Sequence, residues 1–246
     1  MRRLFSVLIL LLAAAPAAAQ CIDPATLGPS IASITRRFDA ADRDVPAGLA
    51  GVAGTGWFLS PTTLVTVEHV AEAMKLSRDT WHSITIGTGS DTQSVPARIR
   101  HLAGDGAERI AVLEFATAFA GARSLTLRME PLAPDERVVS LGFPGRRLRI
   151  AGGRFVRYGD ADRGDARVAG AALLEMYDGN DRLVLDHGAS GAPVLDCAGR
   201  VVAVVSNVYV RTMRLASEEL RITTAWGSAN VVSVPVPVLR DFSRVE

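Results

Sequence analysis

Short segments rich in β-branched, aliphatic and aromatic residues alternate with turn-forming clusters along most of the chain. The first group of predicted strands covers 56–60, 63–67, 81–86, 95–99 and 110–115. The second group covers 138–143, 148–158, 171–177, 201–207 and 222–234. Helical periodicity is confined to 68–74 and to a stretch after Pro237. This spacing is typical of antiparallel sandwiches and barrels, so we predict an all-β protein.

A polar connection rich in small residues, 118–135, separates the two groups of strands. The pattern therefore favours two lobes of similar size over one continuous sheet. We expect a first barrel over about 49–117 and a second over about 136–236, followed by a C-terminal helix after residue 237. Residues 20–48 are expected to form an N-terminal tail before a globular unit that covers 49–246.

The first 19 residues have the layout of a secretory signal peptide. Arg2 and Arg3 precede an apolar stretch, and an A-x-A cleavage site ends at Ala19. The apolar run is shorter than the roughly 20 residues that a spanning helix needs. We therefore expect a secreted or periplasmic protein with no membrane anchor after signal cleavage.

Composition excludes several other classes of protein. With 48% hydrophobic and 22% charged residues, the chain does not resemble a disordered protein. Its formal net charge is +1, and removal of the signal peptide, which holds two arginines and no acidic residue, changes it to −1. A near-neutral protein is not a general polyanion binder, so no nucleic-acid partner is expected.

Cys21 and Cys197 are the only two cysteines. Cys21 invites a lipoprotein interpretation, but lipoprotein signals place a small residue before the cysteine, where this chain has Gln20. In an oxidising compartment a disulfide between the two is favoured over two free thiols.

No metal or other cofactor is indicated by the sequence. Cysteine and histidine spacings typical of zinc sites are absent. Asp160, Asp162 and Asp165 do not have the spacing of a twelve-residue calcium loop, and we interpret them as a polar hairpin tip, with a calcium site as the lesser alternative.

Two segments carry candidate catalytic chemistry. His69 follows a predicted strand and begins a short helix, which is a rigid placement for a general base. Ser190 lies in the small-residue turn G-A-S-G-A-P-V, 188–194. This turn exposes a hydroxyl and can direct the amides of Gly188 and Ser190 toward a developing oxyanion.

Together these segments resemble the trypsin-like serine proteases, and in pattern most closely the bacterial periplasmic HtrA-type branch. The resemblance spans about 50–240 and rests on G-T-G-W-F-L-S at 54–60, T-V-E-H-V at 66–70 and the Ser190 turn. It implies a double β-barrel with the active site between the barrels, a peptide or protein substrate, His69 as base and Ser190 as nucleophile. The segment from Gly199 to Ser206 resembles the strand that lines the substrate channel.

Two departures from zymogen-type trypsins favour the HtrA-type branch. Ala189 stands where those enzymes have the Asp that pairs with a freed N-terminus, and no I-V-G-G-like activation sequence precedes the first barrel. The chain ends at Glu246, so we expect no PDZ domain of the kind that HtrA members often append.

The third member of the catalytic triad is not settled by the sequence. The family pattern expects an Asp where this chain has Arg109. Glu108 is adjacent, but a shift of one residue within a strand turns a side chain to the opposite face, so Glu108 needs a bulge or a change of register. Asp105 in the preceding loop is the alternative. The missing Asp also leaves open a catalytically degenerate protein that binds peptides or protein partners.

The resemblance to trypsin-like proteases also implies the residues of a substrate pocket. Val184 and Val208 stand where trypsins have a basic-specific Asp and a glycine, which implies a shallow apolar pocket beside Ser206 that favours small aliphatic side chains. His187 is expected at the rim of this pocket. The oligomeric state cannot be predicted from the sequence.

Overall fold

Two closed antiparallel barrels make up the protein in its computed structural model. The structure describes residues 21–240 except 41, 43, 90, 105–107, 164–165, 178–187, 209, 216–217 and 224–228. The predicted signal peptide, 1–19, lies outside the described residues. The predicted all-β fold class with two barrels is confirmed.

The first barrel has the strand order β1-β2-β3-β6-β5-β4. Its strands are β1 (Ile31–Arg37), β2 (Gly51–Ser60), β3 (Thr63–Val67), β4 (His82–Thr88), β5 (Asp91–Ala103) and β6 (Ile110–Phe115). A six-residue helix, α1 (Glu68–Ala73), follows β3 directly. Because β1 pairs with both β2 and β4, the barrel begins well before the expected start near residue 49, and part of the expected tail at 20–48 is a barrel strand.

The second barrel has the order β10-β11-β14-β9-β8-β7. Its strands are β7 (Arg137–Gly142), β8 (Arg149–Arg163), β9 (Ala166–Tyr177), β10 (Pro193–Asp196), β11 (Val201–Val208) and β14 (Val231–Pro235). A separate hairpin of β12 (Val210–Leu215) and β13 (Glu218–Thr223) follows β11. The single strand predicted over 222–234 is therefore wrong, because β13 pairs with β12 while β14 pairs with β9 and β11.

Short 3-10 turns cover Pro24–Ser30, Pro144–Arg146 and Val236–Leu239. The last of these stands where a C-terminal helix is expected, and residues 241–246 lie outside the described part. Its Val236 and Leu239 are fully buried in the hydrophobic core of the first barrel, together with Leu141 and Val204 from the second. One continuous core thus holds the two barrels together.

The predicted disulfide joins Cys21 to Cys197. It fastens the residues before β1 to the turn after β10, and the Ile22 amide adds a hydrogen bond to the Cys197 carbonyl. No helix among the described residues is long and apolar enough to cross a membrane.

Candidate active site

His69 is placed by a buried strand. All five residues of β3 are buried, and the chain turns into α1 at Glu68, so His69 lies in the first helical turn. The backbone conformation changes from extended at Val67 to helical immediately afterwards. The imidazole remains 25% exposed, which leaves one ring edge open to a substrate or a partner group.

Glu108 faces the ring nitrogen of His69 that lies nearer the backbone. Its Oε2 atom is 2.9 Å from His69 Nδ1, and its carboxylate is fully buried. The other carboxylate oxygen, Oε1, lies 3.5 Å from the His69 amide nitrogen. A buried carboxylate in this position holds the imidazole in one orientation and selects the tautomer with a proton on Nδ1.

The position of Glu108 follows from where β6 begins. The ladder between β3 and β6 ends with the pair Val67 and Ile110, so Glu108 lies in a bend outside the strand. The rule that successive side chains alternate between faces applies only within a strand, and it does not constrain Glu108. The longer side chain of Glu, compared with Asp, then spans the remaining distance.

Ser206 provides a second partner for the same carboxylate. Its hydroxyl donates to Glu108 Oε2 at 3.1 Å, and the residue is only 2% exposed. The register of β11 against β14 shifts between Val205 and Asn207, which makes Ser206 the extra residue of a bulge. Bulges redirect side chains next to functional sites. The sequence predicts Ser206 in the strand that lines the substrate channel, but it does not predict this contact.

Arg109 pairs with Glu68 and not with His69. Its guanidinium forms a salt bridge with the carboxylate of Glu68, and the Glu68 amide donates to the Arg109 carbonyl at 2.9 Å. The hydrogen bond that its guanidinium donates to the Glu68 carboxylate raises the pKa of Arg109 above its ordinary value, so the side chain stays charged and paired. The cation at the expected Asp position is therefore neutralised locally by a different acid.

Ser190 lies in a turn whose backbone requires glycine both before and after the serine. Gly188 and Gly191 have φ angles of +100° and +91°. A Cβ atom at Gly191 would come within 2.0 Å of the Thr55 carbonyl oxygen. A Cβ atom at Gly188 would lie 2.8 Å from the Phe143 carbonyl oxygen. The turn is therefore packed tightly against both barrels.

The hydroxyl of Ser190 donates to the Ser206 carbonyl at 3.2 Å, not to His69. Ser206 is thus bonded both to the acid beside His69 and to the candidate nucleophile. The amides of Gly188 and Ser190 have no hydrogen-bond acceptor within the described part of the chain, which leaves both donors available.

Thr55, a residue that the sequence analysis does not single out, connects the two barrels at this site. Its hydroxyl donates to the Gly188 carbonyl at 2.6 Å and accepts from the Phe143 amide at 2.9 Å. Its amide donates to the Ser190 carbonyl at 3.0 Å. The Thr66 hydroxyl donates to the Thr55 carbonyl at 2.8 Å. The fully buried Thr55 in β2 therefore ties the turn at Ser190 to the strand that carries His69.

Several predicted site residues lie outside the described residues. These are Asp105, Val184 and His187, together with the side chain of Val208. Asp160 accepts a hydrogen bond from the Gly170 amide, while the side chains of Asp162 and Asp165 are not among those described. Within the described ranges no group of three or more His, Cys, Asp or Glu residues is arranged to hold a metal ion.

The chain is similar to known proteins in sequence and in fold. Residues 54–204, more than half of the chain, match the family model of the trypsin-like peptidase domain. No curated protein matches the chain by sequence.

Solved structures share the fold at low sequence identity. The active form of the Rv3671c protease from M. tuberculosis aligns with a TM-score of 0.61 and 19% identity, over 98% of this chain and 92% of its own. The MamO protease domain from Magnetospirillum magneticum aligns with a TM-score of 0.57 and 14% identity, over 88% of this chain and 97% of its own. The HtrA-type protease AlgW with a tripeptide aligns with a TM-score of 0.58 and 15% identity, over 88% of this chain and 60% of its own.

Proposed function

The chain belongs to the trypsin-like peptidase family, and from this premise we propose that it is an exported serine endopeptidase. It hydrolyses peptide bonds through an acyl-enzyme on Ser190, with His69 as general base and Glu108 as the orienting acid. The observation that carries the proposal is the 2.9 Å contact between Glu108 Oε2 and His69 Nδ1. No cofactor takes part in this chemistry.

In the first step the Ser190 oxygen attacks the carbonyl carbon of the scissile peptide bond. His69 Nε2 takes the hydroxyl proton, and the imidazolium that forms is stabilised by the buried carboxylate of Glu108. For this transfer the Ser190 hydroxyl must turn from the Ser206 carbonyl toward His69. Catalytic hydrogen bonds of this kind commonly tighten only when substrate is bound.

The carbonyl oxygen becomes an oxyanion while the carbon is tetrahedral. The amides of Gly188 and Ser190 donate to it, and loss of one such donor typically costs about 10²–10³ in kcat. His69 then gives its proton to the leaving amine, and the C–N bond breaks. Water, activated by the same imidazole, hydrolyses the ester on Ser190 and restores the free hydroxyl.

The primary pocket is proposed to be shallow and apolar, with Val184 and Val208 on its walls, Ser206 beside it and His187 at its rim. Such a pocket favours small aliphatic side chains before the scissile bond. A substrate-library profile dominated by cleavage after Arg, Lys or aromatic residues would exclude it. Residues 1–19 are proposed to direct the chain out of the cytoplasm, where the Cys21–Cys197 disulfide is stable.

One observation favours a second candidate function. The Ser190 hydroxyl is bonded to the Ser206 carbonyl and not to His69, which suits a catalytically degenerate protein that binds peptides in the cleft. Hydrolysis of an unfolded protein such as casein by the full chain after signal removal separates the two. Cleavage that is lost in both Ser190→Ala and His69→Ala supports the endopeptidase. Cleavage that is unchanged in Ser190→Ala, or absent in the unmodified protein, excludes it.

A further inference from the structure

The outer face of β1 carries a row of polar side chains beside the candidate active site. Ile31 and Ile34 are fully buried in the core, whereas Ser33 and Thr35 are partly exposed and Arg37 is exposed. Because side chains two residues apart in a strand share a face, Ser33, Thr35 and Arg37 line one surface. The first barrel therefore presents two hydroxyl groups and one guanidinium group on a surface outside its hydrophobic core.

The neighbouring strand continues this surface. Thr35 pairs with Thr85 in β4, and Ser33 pairs with Gly87, whose carbonyl accepts the Ser33 hydroxyl at 3.3 Å. A Cβ atom at Gly87 would lie 2.9 Å from Ser33 Oγ and 3.5 Å from Thr92 Oγ1. The absence of a side chain at Gly87 thus keeps the floor between these hydroxyls open.

The second barrel closes the surface into a cavity. The turn after β7 brings Phe143 and Arg146 over it, and the resulting cavity, which is open on one side, has a volume of about 450 Å³. Arg146 has a φ of +64°, a left-handed conformation that costs a non-glycine residue of order 1–3 kcal/mol. Its amide donates to the Phe143 carbonyl at 2.9 Å, which holds the turn in this form. Strain of this kind persists where the surrounding structure maintains it and is frequent at binding sites.

Charge in the cavity has one sign among the described lining residues. Arg37 and Arg146 contribute two guanidinium groups, and no described acidic side chain lines the wall. Within the described part of the chain neither arginine forms an ion pair or a side-chain hydrogen bond. Two cations with hydroxyl donors around them match a carboxylate, which guanidinium groups bind through paired hydrogen bonds.

The cavity adjoins the turn that carries Ser190. Phe143 forms part of its wall, its amide is held by Thr55, and its carbonyl lies 2.8 Å from the Cβ position of Gly188. Phe143 therefore belongs both to the cavity wall and to the packing of the Ser190 turn, so a peptide bound with its scissile bond at Ser190 has the cavity nearby.

We infer that this cavity is a subsite that takes an Asp or Glu side chain of the substrate, close to the bond that is cut. The inference rests on the proposed endopeptidase function and adds a substrate class to it. Acidic residues are selected by Arg37 and Arg146, while the apolar primary pocket selects the residue at the bond.

Cleavage of a proteome-derived peptide library by the full chain after signal removal tests the inference. We expect Asp and Glu to be enriched about five- to tenfold at one position within about three residues of the cut. The double variant Arg37→Gln/Arg146→Gln should abolish this enrichment. Arg157→Gln, which removes an exposed arginine of β8 that does not line the cavity, should retain it. Cuts without acidic enrichment, or enrichment that survives in the double variant, overturn the inference and leave the endopeptidase intact.

A binding measurement keeps the subsite testable if no Ser190-dependent cleavage is found and the endopeptidase proposal fails. The probe is a fluorescent peptide of alternating Ala and Glu, compared with one of alternating Ala and Gln, on the Ser190→Ala protein at low salt. Tighter binding of the Glu peptide that disappears in the arginine double variant supports the subsite. Equal binding of the two peptides overturns it.

Discussion

Glu108 Oε2 lies 2.9 Å from His69 Nδ1, although Arg109 occupies the position at which the family pattern has an aspartate. The carboxylate reaches the imidazole because Glu108 precedes the first paired residue of β6. Arg109 forms its ion pair with Glu68. In the proposed mechanism an acid is therefore supplied from one residue earlier in the chain, with a side chain one carbon longer.

Substitution of this acid tests its role as orienting group. Glu108→Gln keeps the size of the side chain but removes the charge that stabilises the imidazolium. We expect kcat to fall by about 10⁴, as when the orienting carboxylate of such a triad is replaced by its amide. Arg109→Gln is the matched control and should change kcat less than about tenfold, since its charge is paired with Glu68. Equal losses in the two variants would contradict the assignment.

Removal of the Thr55 hydroxyl tests the connection between the barrels. Thr55→Val leaves the Phe143 amide and the Gly188 carbonyl without their partner, at a cost of about 1–3 kcal/mol for each buried group. Since about 1 kcal/mol lowers Tm by about 2–4 °C in a chain of this size, calorimetry should resolve the change. Thr55→Ser keeps the hydroxyl and should lie much closer to the unmodified protein. A Thr55→Val variant with unchanged Tm and unchanged kcat would refute the role.

Substitution of two glycines with positive φ measures the cost of backbone strain separately from the cost of steric overlap. In Gly191→Ala the new Cβ would meet the Thr55 carbonyl oxygen at 2.0 Å, whereas at Gly89, φ +58°, nothing lies within 4 Å. Gly89→Ala should therefore cost about 1–2 kcal/mol from the left-handed conformation alone. Gly191→Ala should cost at least about 4 kcal/mol and abolish the covalent labelling of Ser190 by a fluorophosphonate probe. Comparable free energies of unfolding for the two variants would show that the turn is not packed as described.

The pKa of Asp196 leads us to expect that the stability of the protein depends on pH. Burial raises the pKa of this carboxyl, but the hydrogen bonds from the amide and guanidinium of Arg200 outweigh it, so the pKa lies below its ordinary value. A lowered pKa in the folded state means that the stabilisation is complete above the unfolded-state value of about 3.9 and is lost as the pH falls below it.

Asp196→Asn should consequently reduce the free energy of unfolding by about 2 kcal/mol at neutral pH, and the difference should shrink in acid. Denaturant titrations across the acidic range measure this difference. Asp135→Asn, at a side chain that is 70% exposed, is the control and should change stability by less than about 0.5 kcal/mol. A difference that is constant with pH would contradict the prediction.

The architecture was predictable because barrel strands have a strong local pattern. The stretch 63–67 is a continuous run of β-branched and aliphatic residues, and 110–115 is apolar except for Glu114. The strands β3 and β6 coincide with these two stretches. β1 escaped prediction because its sequence, I-A-S-I-T-R-R, combines small and polar residues and is stabilised by pairing with β2 and β4. β10 has only four residues and forms through its partners β7 and β11.

The part of the site that is encoded by local sequence was predictable, and the part that depends on contacts between distant segments was not. Segment order and glycine placement indicate His69 and the turn at Ser190, because a tight turn needs glycine at defined positions. The predicted strand 110–115 leaves Glu108 outside β6, but the direction of its side chain in the bend depends on tertiary contacts with His69 and Ser206, which no local sequence pattern indicates. Three of the four hydrogen bonds of Thr55 join segments more than eighty residues apart along the chain, so no local pattern distinguishes Thr55 from an ordinary strand threonine.

Labelling with a fluorophosphonate probe tests most directly whether Ser190 is an activated nucleophile. The mature protein is incubated with the probe, and the modified residue is identified by mass spectrometry alongside Ser190→Ala and Glu108→Gln. We predict stoichiometric labelling of Ser190 in the unmodified protein, none in Ser190→Ala, and labelling slowed by orders of magnitude in Glu108→Gln. Absence of labelling at Ser190 in the folded, disulfide-bonded protein would contradict the endopeptidase.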